Sequence, residues 1–292
     1  MKTPLFTGTC TAIVTPFDQD GIHLGEFDRL LDLQLDARVA AIVVCGTTGE
    51  AATLSDEEKL LLISHAISYV KGRCKIIAGT GSNDTNHAIH LSKMAAAYGA
   101  DGLLIVTPYY NKTSQTGLVH HYKSIANAVP LPILVYNIPS RTGLNVSLST
   151  YQQLAEIPNI NGVKEASSDL PLLSKLFGKC DLNVWIGNDD QIVAAMALGA
   201  KGVISTMSNI APKTVVKMVN ACLTGDYATA AKLQSDSMPL IEALFSQVNP
   251  LPVKEALKQM GYAVGDCRMP LYLDEGQVEE LSATLRQLLP ID

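Results

Sequence analysis

Tyr98-Gly-Ala-Asp-Gly-Leu-Leu-Ile105 returns later in the chain as Leu198-Gly-Ala-Lys-Gly-Val-Ile-Ser205. In both copies one glycine stands where a helix would end in the left-handed conformation, and a second opens a short apolar run. Outward from these copies, short β-rich runs recur at residues 9–15, 41–45, 75–78, 102–106, 133–137, 162–165, 184–187 and 202–205. Between them the apolar spacing is helical, as over 27–35, 57–70, 88–98, 118–128 and 191–198. Strands alternating with helices imply βαβ units and a parallel sheet. Eight such units suit a closed (β/α)8 TIM barrel. After Pro212 the spacing stays helical nearly to the end, interrupted around 248–252 and 265–270. The chain therefore divides into a barrel over residues 1–225 and a C-terminal helical domain over 226–292.

Composition narrows the class of function. A hydrophobic share of 47% against 17% charged residues describes a well-buried globule, not a disordered chain. The net charge of −6, with no basic run, argues against a nucleic-acid or anionic-membrane surface. Cys10, Cys45, Cys74, Cys180, Cys222 and Cys267 are scattered without a C-x-x-C pair, as reduced thiols in a cytoplasmic protein would be. The opening M-K-T-P-L-F-T-G lacks a signal-peptide core, and no apolar run approaches membrane-spanning length.

Loop lengths show where a barrel of this kind would keep its chemistry. Ser55-Asp-Glu-Glu58 is a capping box that starts a helix near Asp56, which leaves residues 46–54 as a long loop after the second strand. Ser149-Thr-Tyr-Gln152 reads as a second such cap, leaving 138–148 as a long loop after the fifth strand. Residues 109–113 extend the loop after the fourth. Long loops at the carboxyl ends of strands carry the active sites of barrels.

Several residues at those ends have chemistry to offer. In Asn161-Gly-Val-Lys-Glu-Ala-Ser-Ser-Asp169, Lys164 ends an apolar run, and Pro171 falls where a helix capped by Ser168 or Asp169 can begin. Lys164 reads two ways: a strand-end lysine that snorkels to water, or a desolvated amine that attacks a carbonyl to form a Schiff base. Tyr136, ending the fifth run, is either a proton shuttle or a core tyrosine with one hydrogen bond. Arg141 in P-S-R-T-G offers a fork for a carboxylate or is simply solvated. Gly46-Thr-Thr-Gly49 offers two hydroxyls and free N–H groups for a small carboxylate, or is an ordinary turn. Tyr109 and Tyr110 suggest a pocket wall or a subunit contact.

Other motifs fail. Gly79-Thr-Gly-Ser-Asn-Asp84 lacks the third glycine of a dinucleotide fingerprint, and no phosphate-binding loop of the G-x-x-x-x-G-K type occurs. His87 and His90 sit one helical turn apart without a completing Cys, Asp or Glu pattern, so they read as a solvated face, not a metal site. His120-His121 reads as the opening of an amphipathic helix.

Taken together, Gly46-Thr-Thr-Gly-Glu50, Thr107-Pro-Tyr-Tyr-Asn111, Tyr136-Asn-Ile-Pro-Ser-Arg-Thr-Gly143, Gly162-Val-Lys-Glu-Ala-Ser167 and Asn249-Pro-Leu-Pro-Val-Lys254 resemble the dihydrodipicolinate synthase family. These are pyruvate-dependent class I aldolases of the N-acetylneuraminate lyase superfamily, and the resemblance runs through essentially the whole chain. It implies a barrel with a C-terminal helical domain, assembled as a homotetramer of two tight dimers. It implies that pyruvate forms a Schiff base on Lys164 and that the enamine adds to L-aspartate 4-semialdehyde, a step of lysine (diaminopimelate) biosynthesis that needs no cofactor and no metal. By the same resemblance Tyr136 is the general acid/base, and Thr48 relays protons with Tyr110 of the partner subunit. Thr47 and Thr48 hold the pyruvate carboxylate, Arg141 holds the semialdehyde carboxylate, and Gly187 and Ile204 supply backbone contacts.

Related aldolases acting on N-acetylneuraminate or keto-deoxy-sugar acids would share Lys164, Tyr136 and the Gly46 loop; Thr47-Thr48 and Arg141 favour the synthase. A barrel kept as a catalytically idle scaffold is the rival from another class. The resemblance also implies a candidate allosteric lysine site at Ala52, Asn83, His87 and Tyr109. There the lysine-sensitive pattern would have histidines and an acidic residue, where this chain has Asp56, Lys59 and His87. Lys59 and His87 present no anion to a ligand ammonium, and Lys59 repels it, so weak or absent feedback by lysine is expected.

Overall fold

The structure, a computed structural model, describes residues 2–289. Eight parallel strands close into one barrel: β1 (Gly8–Ala12), β2 (Ala41–Val44), β3 (Lys75–Gly79), β4 (Gly102–Val106), β5 (Ile133–Asn137), β6 (Ile160–Glu165), β7 (Asn183–Ile186) and β8 (Gly202–Ser205), with β8 pairing back onto β1. The helices between them are α1 (Leu24–Asp36), α2 (Asp56–Val70), α3 (Thr85–Tyr98), α4 (Gln115–Ala128), α5 (Leu148–Ala155), α6 (Leu170–Lys179) and α7 (Ile192–Leu198), and α8 (Pro212–Leu223) completes the ring. Three more follow as a C-terminal extension: α9 (Tyr227–Leu244), α10 (Leu251–Gln259) and α11 (Glu275–Leu288). No helix among the described residues is long and apolar enough to cross a membrane. The barrel with a C-terminal helical extension is the expected architecture; the expected domain limits at residues 1 and 292 lie outside the described residues.

Local chemistry accounts for most element ends. The capping box at Ser55 is present, its hydroxyl accepting from Glu58 N–H at 3.2 Å while the Glu58 carboxylate accepts from Ser55 N–H at 2.9 Å. Gly99 and Gly199, the repeated pair, both close their helices with positive φ. Asp169 caps α6, and Pro171 lies in its first turn. The cap of α5, however, is Ser147 and not Ser149. Ser147 Oγ accepts from Thr150 N–H at 3.2 Å, whereas Ser149 Oγ only meets the Ser147 hydroxyl. The preceding loop also holds a helical turn over Pro139–Thr142. β1 ends at Ala12, three residues short of the expected run. Beyond it Ile13–Thr15 bend over the barrel mouth, where Thr15 Oγ1 donates to the Gly49 carbonyl at 2.7 Å. A two-residue hairpin, Phe17–Asp18 with Gly21–Ile22, follows and has no counterpart in the sequence reading.

Strand parity separates two apolar clusters. One face of each strand meets the helices, with Val135, Val163, Val184 and Val203 among its buried residues. The other fills the barrel with Cys10, Ala12, Ala41, Val43, Ile77, Leu104, Leu134, Tyr136, Trp185 and Ile204. Phe6 stacks on Trp185 at 4.8 Å between ring centroids, inside this second cluster. A Cβ on Gly162 would come within 2.8 Å of the Trp185 ring and 2.2 Å of the Asn183 carbonyl, so only glycine lets β6 lie this close to β7.

Candidate active site

Parity decides which way the reactive residues point. Tyr136 and Lys164 are register partners on β5 and β6. Lys164 shares its strand face with Gly162 and the interior cluster, so its side chain enters the barrel, while Val163 and Glu165 turn outward. Lys164 is 5% exposed, and its Nζ sits 4.4 Å from the centroid of the Tyr136 ring. A Cβ on Gly187 would lie 2.9 Å from Lys164 Cε, so the bare backbone at the end of β7 makes the room the lysine occupies. Buried Asp189 lies close enough to Lys164 to feel its charge. Burial pushes its own carboxyl above the usual range, against hydrogen bonds from Ser205 and the N–H groups of Thr206 and Met207.

Glu165, next to Lys164 in sequence, takes no part in this interior. Its carboxylate accepts from Tyr151 Oη at 2.7 Å, Asn137 Nδ2 at 2.9 Å and Ser167 N–H at 2.9 Å in the layer between barrel and helices. Burial raises its pKa above the usual carboxylate value.

A cavity of about 320 Å³ opens at the carboxyl ends of the strands, lined by Thr47, Tyr136, Ile138, Arg141 and Asn249 among others. Thr48 is buried beside it. Its Oγ1 accepts from Asn249 Nδ2 at 3.0 Å and lies 3.5 Å from Thr206 Oγ1. Arg141 is largely exposed at the mouth, and one of its Nη atoms donates to the Asn249 carbonyl at 3.0 Å. Gly187 N–H is committed to the Glu165 carbonyl at 2.8 Å, and Ile204 is fully buried in the interior cluster. A phenol, a threonine hydroxyl and a guanidinium, those of Tyr136, Thr47 and Arg141, thus line one chamber, and the buried Lys164 amine lies against the Tyr136 ring.

A model of the dihydrodipicolinate synthetase family matches residues 5–288. The chain belongs to this family. It is 48% identical over 270 residues to a 4-hydroxy-tetrahydrodipicolinate synthase of Caldicellulosiruptor saccharolyticus, covering 92% of each chain. The crystal structure of dihydrodipicolinate synthase from Aquifex aeolicus superposes with a TM-score of 0.94 at 38% identity, over 97% of this chain and 98% of that one. That of the Cyanidioschyzon merolae enzyme, solved with lysine bound, superposes at 0.93 and 36% identity over 98% of both.

The remaining residues singled out in the sequence fall in three places relative to the family's chamber. Ala52, His87 and Tyr109 line the outer part of the same cavity, together with Lys59. Asn83 instead lines a separate surface pocket with Thr85, Lys112, His120 and His121. Tyr110 is 92% exposed with φ +66° and is not among the residues lining the cavity. His87 lies on a partly exposed helix face, 35% exposed, but it is not free there: its Nε2 meets both Asp56 oxygens at 2.9 Å and its Nδ1 meets Ser82 Oγ at 3.1 Å. His121 is buried, with Nδ1 2.9 Å from Thr85 Oγ1, and burial lowers its pKa to about 4. Asp56 shows how much His87 matters: burial alone would raise its pKa, but His87 and Lys59 hold it below the usual value.

Sequence reasoning missed the part played by the C-terminal extension. Asn249 touches both Thr48 and Arg141, and Lys254 forms a buried ion pair with Glu50 at 2.7 Å. The N-P-L-P-V-K stretch was the available signal, but spacing could not say which loop it would meet.

Proposed function

We propose that the chain is a 4-hydroxy-tetrahydrodipicolinate synthase that condenses pyruvate with L-aspartate 4-semialdehyde through a Schiff base on Lys164. The observation that carries this reading is Lys164 itself: a buried amine inside the barrel, against the ring of Tyr136, which lines the chamber at the carboxyl ends of the strands. The Lys164 nitrogen adds to C2 of pyruvate, and water leaves as the protonated imine forms. The imine is an electron sink, so C3 gives up a proton and the enamine attacks the aldehyde carbon of the semialdehyde. The amino group of the second substrate then adds to C2 and displaces Lys164, which closes the ring and returns the free amine. Tyr136 and Thr48 move the protons, each well-placed group contributing about 10²–10⁴-fold. Thr47 and Thr48 hold the pyruvate carboxylate, and Arg141, exposed at the mouth, holds that of the semialdehyde. Gly187 and Ile204 contribute backbone.

Borohydride reduction in the presence of pyruvate tests this. A reduced pyruvyl adduct confined to the Lys164 peptide is the expected result; an adduct elsewhere, or none on folded protein at neutral pH, rejects it.

We further infer a tetramer of two tight dimers in which Tyr110 completes the partner's proton relay. What supports it is an almost fully exposed tyrosine, held at positive φ on the loop beside the chamber. Light scattering on the eluted protein, with a Tyr110→Phe variant assayed alongside, checks both halves. Feedback by lysine is weak or absent in this reading. Asp56, the carboxylate beside His87 and Lys59, is already engaged by them and not offered to a ligand ammonium. Half-inhibition by submillimolar lysine in a steady-state assay would falsify that expectation.

A further inference from the structure

Thr48 and Arg141 sit on loops after different strands, and the same residue, Asn249, bonds to both. It comes from neither loop but from the segment joining α9 to α10 in the C-terminal extension, and it is 8% exposed. Its side-chain Nδ2 donates to Thr48 Oγ1 at 3.0 Å, and its backbone carbonyl accepts from Arg141 at 3.0 Å. The Gly46–Glu50 loop is pinned again two residues after Thr48. The Glu50 carboxylate meets Lys254 Nζ at 2.7 Å and accepts from Arg268 N–H at 2.8 Å, both partners also coming from the extension.

The direction of the Asn249 bond matters. A threonine hydroxyl has one proton to give and lone pairs to receive. With the Asn249 amide donating into a lone pair, the Thr48 proton is turned away from Asn249 and left for another acceptor. Thr206 Oγ1, at 3.5 Å, is the other oxygen within reach of Thr48. An acceptor in place of this amide would draw the Thr48 proton toward itself and leave the hydroxyl facing the wrong way for proton transfer.

We propose that Asn249 is a positioning residue for the condensation: its side-chain amide orients the Thr48 hydroxyl as the donor of the proton relay, while its carbonyl steadies Arg141. The proposal rests on the functional reading above. Asn249 acts through Thr48 and is not itself placed against the reacting atoms.

The test is a double-mutant cycle with Thr48→Val, Asn249→Ala and the pair, measuring kcat and KM for both substrates, together with borohydride trapping on Lys164. Asn249→Ala is expected to lower kcat about 10–100-fold, a fraction of what a full acid/base group contributes. KM for pyruvate moves less, and the Lys164 adduct still forms. Because the residue acts through Thr48, the double variant should be no more than about threefold slower than Thr48→Val alone. Asn249→Asp keeps the shape of the side chain and replaces the donor by an acceptor. It is expected to be impaired at neutral pH and to recover as the pH falls and the new carboxyl becomes protonated, a profile that loosened packing would not produce. Should Asn249→Ala fail to fold, the pH profile of Asn249→Asp decides alone. Wild-type kcat in Asn249→Ala with only a lower Tm, multiplicative losses in the cycle, or a flat Asn249→Asp profile would each overturn the proposal. No adduct on wild-type Lys164 would overturn the functional reading, and this inference with it.

Discussion

Lys254→Met should be the most damaging single change outside the chamber, and its cost follows from what surrounds the pair. Lys254 is 2% exposed and Glu50 3%. The ammonium meets Glu50 Oε1 at 2.7 Å, donates to the Asp266 carbonyl at 3.0 Å and lies 4.2 Å from the centroid of the Phe17 ring. Burial lowers the Lys254 pKa, against the pull of Glu50, so the pair is desolvated. Methionine fits the aliphatic volume of the lysine but leaves the Glu50 carboxylate without its cation, held only by the Arg268 N–H and the Cys267 thiol. Removing one partner of a buried pair costs about 3–5 kcal/mol, whereas replacing both by neutral groups of similar shape costs far less. For a chain of this size that loss lowers Tm by roughly 5–8 °C. Glu50→Gln alone strands the ammonium and should cost a similar amount, while Glu50→Gln with Lys254→Met recovers most of the loss. Urea unfolding of the four proteins at one pH measures the coupling. Strict additivity of the two single effects, or a loss below about 1 kcal/mol for Lys254→Met, a typical surface-pair value, refutes the reasoning. The singles should also lose activity beyond their loss of stability, because Glu50 ends the loop that carries Thr47 and Thr48.

Gly187→Ala places a methyl 2.9 Å from both Lys164 Cε and Ala166 Cβ; the displaced amine should slow borohydride-trappable adduct formation by about 10²-fold, read by single-turnover kinetics with pyruvate. His121 has its pKa lowered from 6.5 to about 4 by burial, so between those values the unfolded chain binds more protons than the folded one. Its contribution is therefore complete above pH 6.5 and is lost as pH falls toward 4, and His121→Gln should flatten the stability curve across that window in urea titrations. Lys2 Nζ donates to the carbonyls of Ala155, Ile157 and Ile160 at 2.8, 2.7 and 2.6 Å, so Lys2→Ala should cost about 1–2 kcal/mol by the same assay with kcat unchanged.

The barrel was legible in the chain because its signals are local. Strands buried on both faces read as continuous apolar runs, helices as a period of 3.6, and the Gly99 and Gly199 turns as a repeated backbone need. The positions of Lys164 and Tyr136 near the ends of their strands were legible for the same reason, whereas the roles expected of them came only with the family resemblance. Ser149 was misread as a cap because two serines two residues apart offer the same side chain, and only the backbone path chooses between them. The environment of His121 was equally out of reach, since its burial depends on Thr85 in another helix. Asn249 and Lys254 lie about two hundred residues from Thr48 and Glu50, and no periodicity carries information over that distance.

The sequence by itself determined the βαβ alternation and where most of the strands lie, because hydrophobic period and turn chemistry act within a few residues. Only the tertiary structure decided that Lys164 faces inward while Glu165 faces out, that Asp56 is hydrogen-bonded to His87, and that the C-terminal extension holds Thr48 and Glu50. Those facts depend on closure of the sheet and on which loops meet above it, and chain closure is a property of all eight strands together.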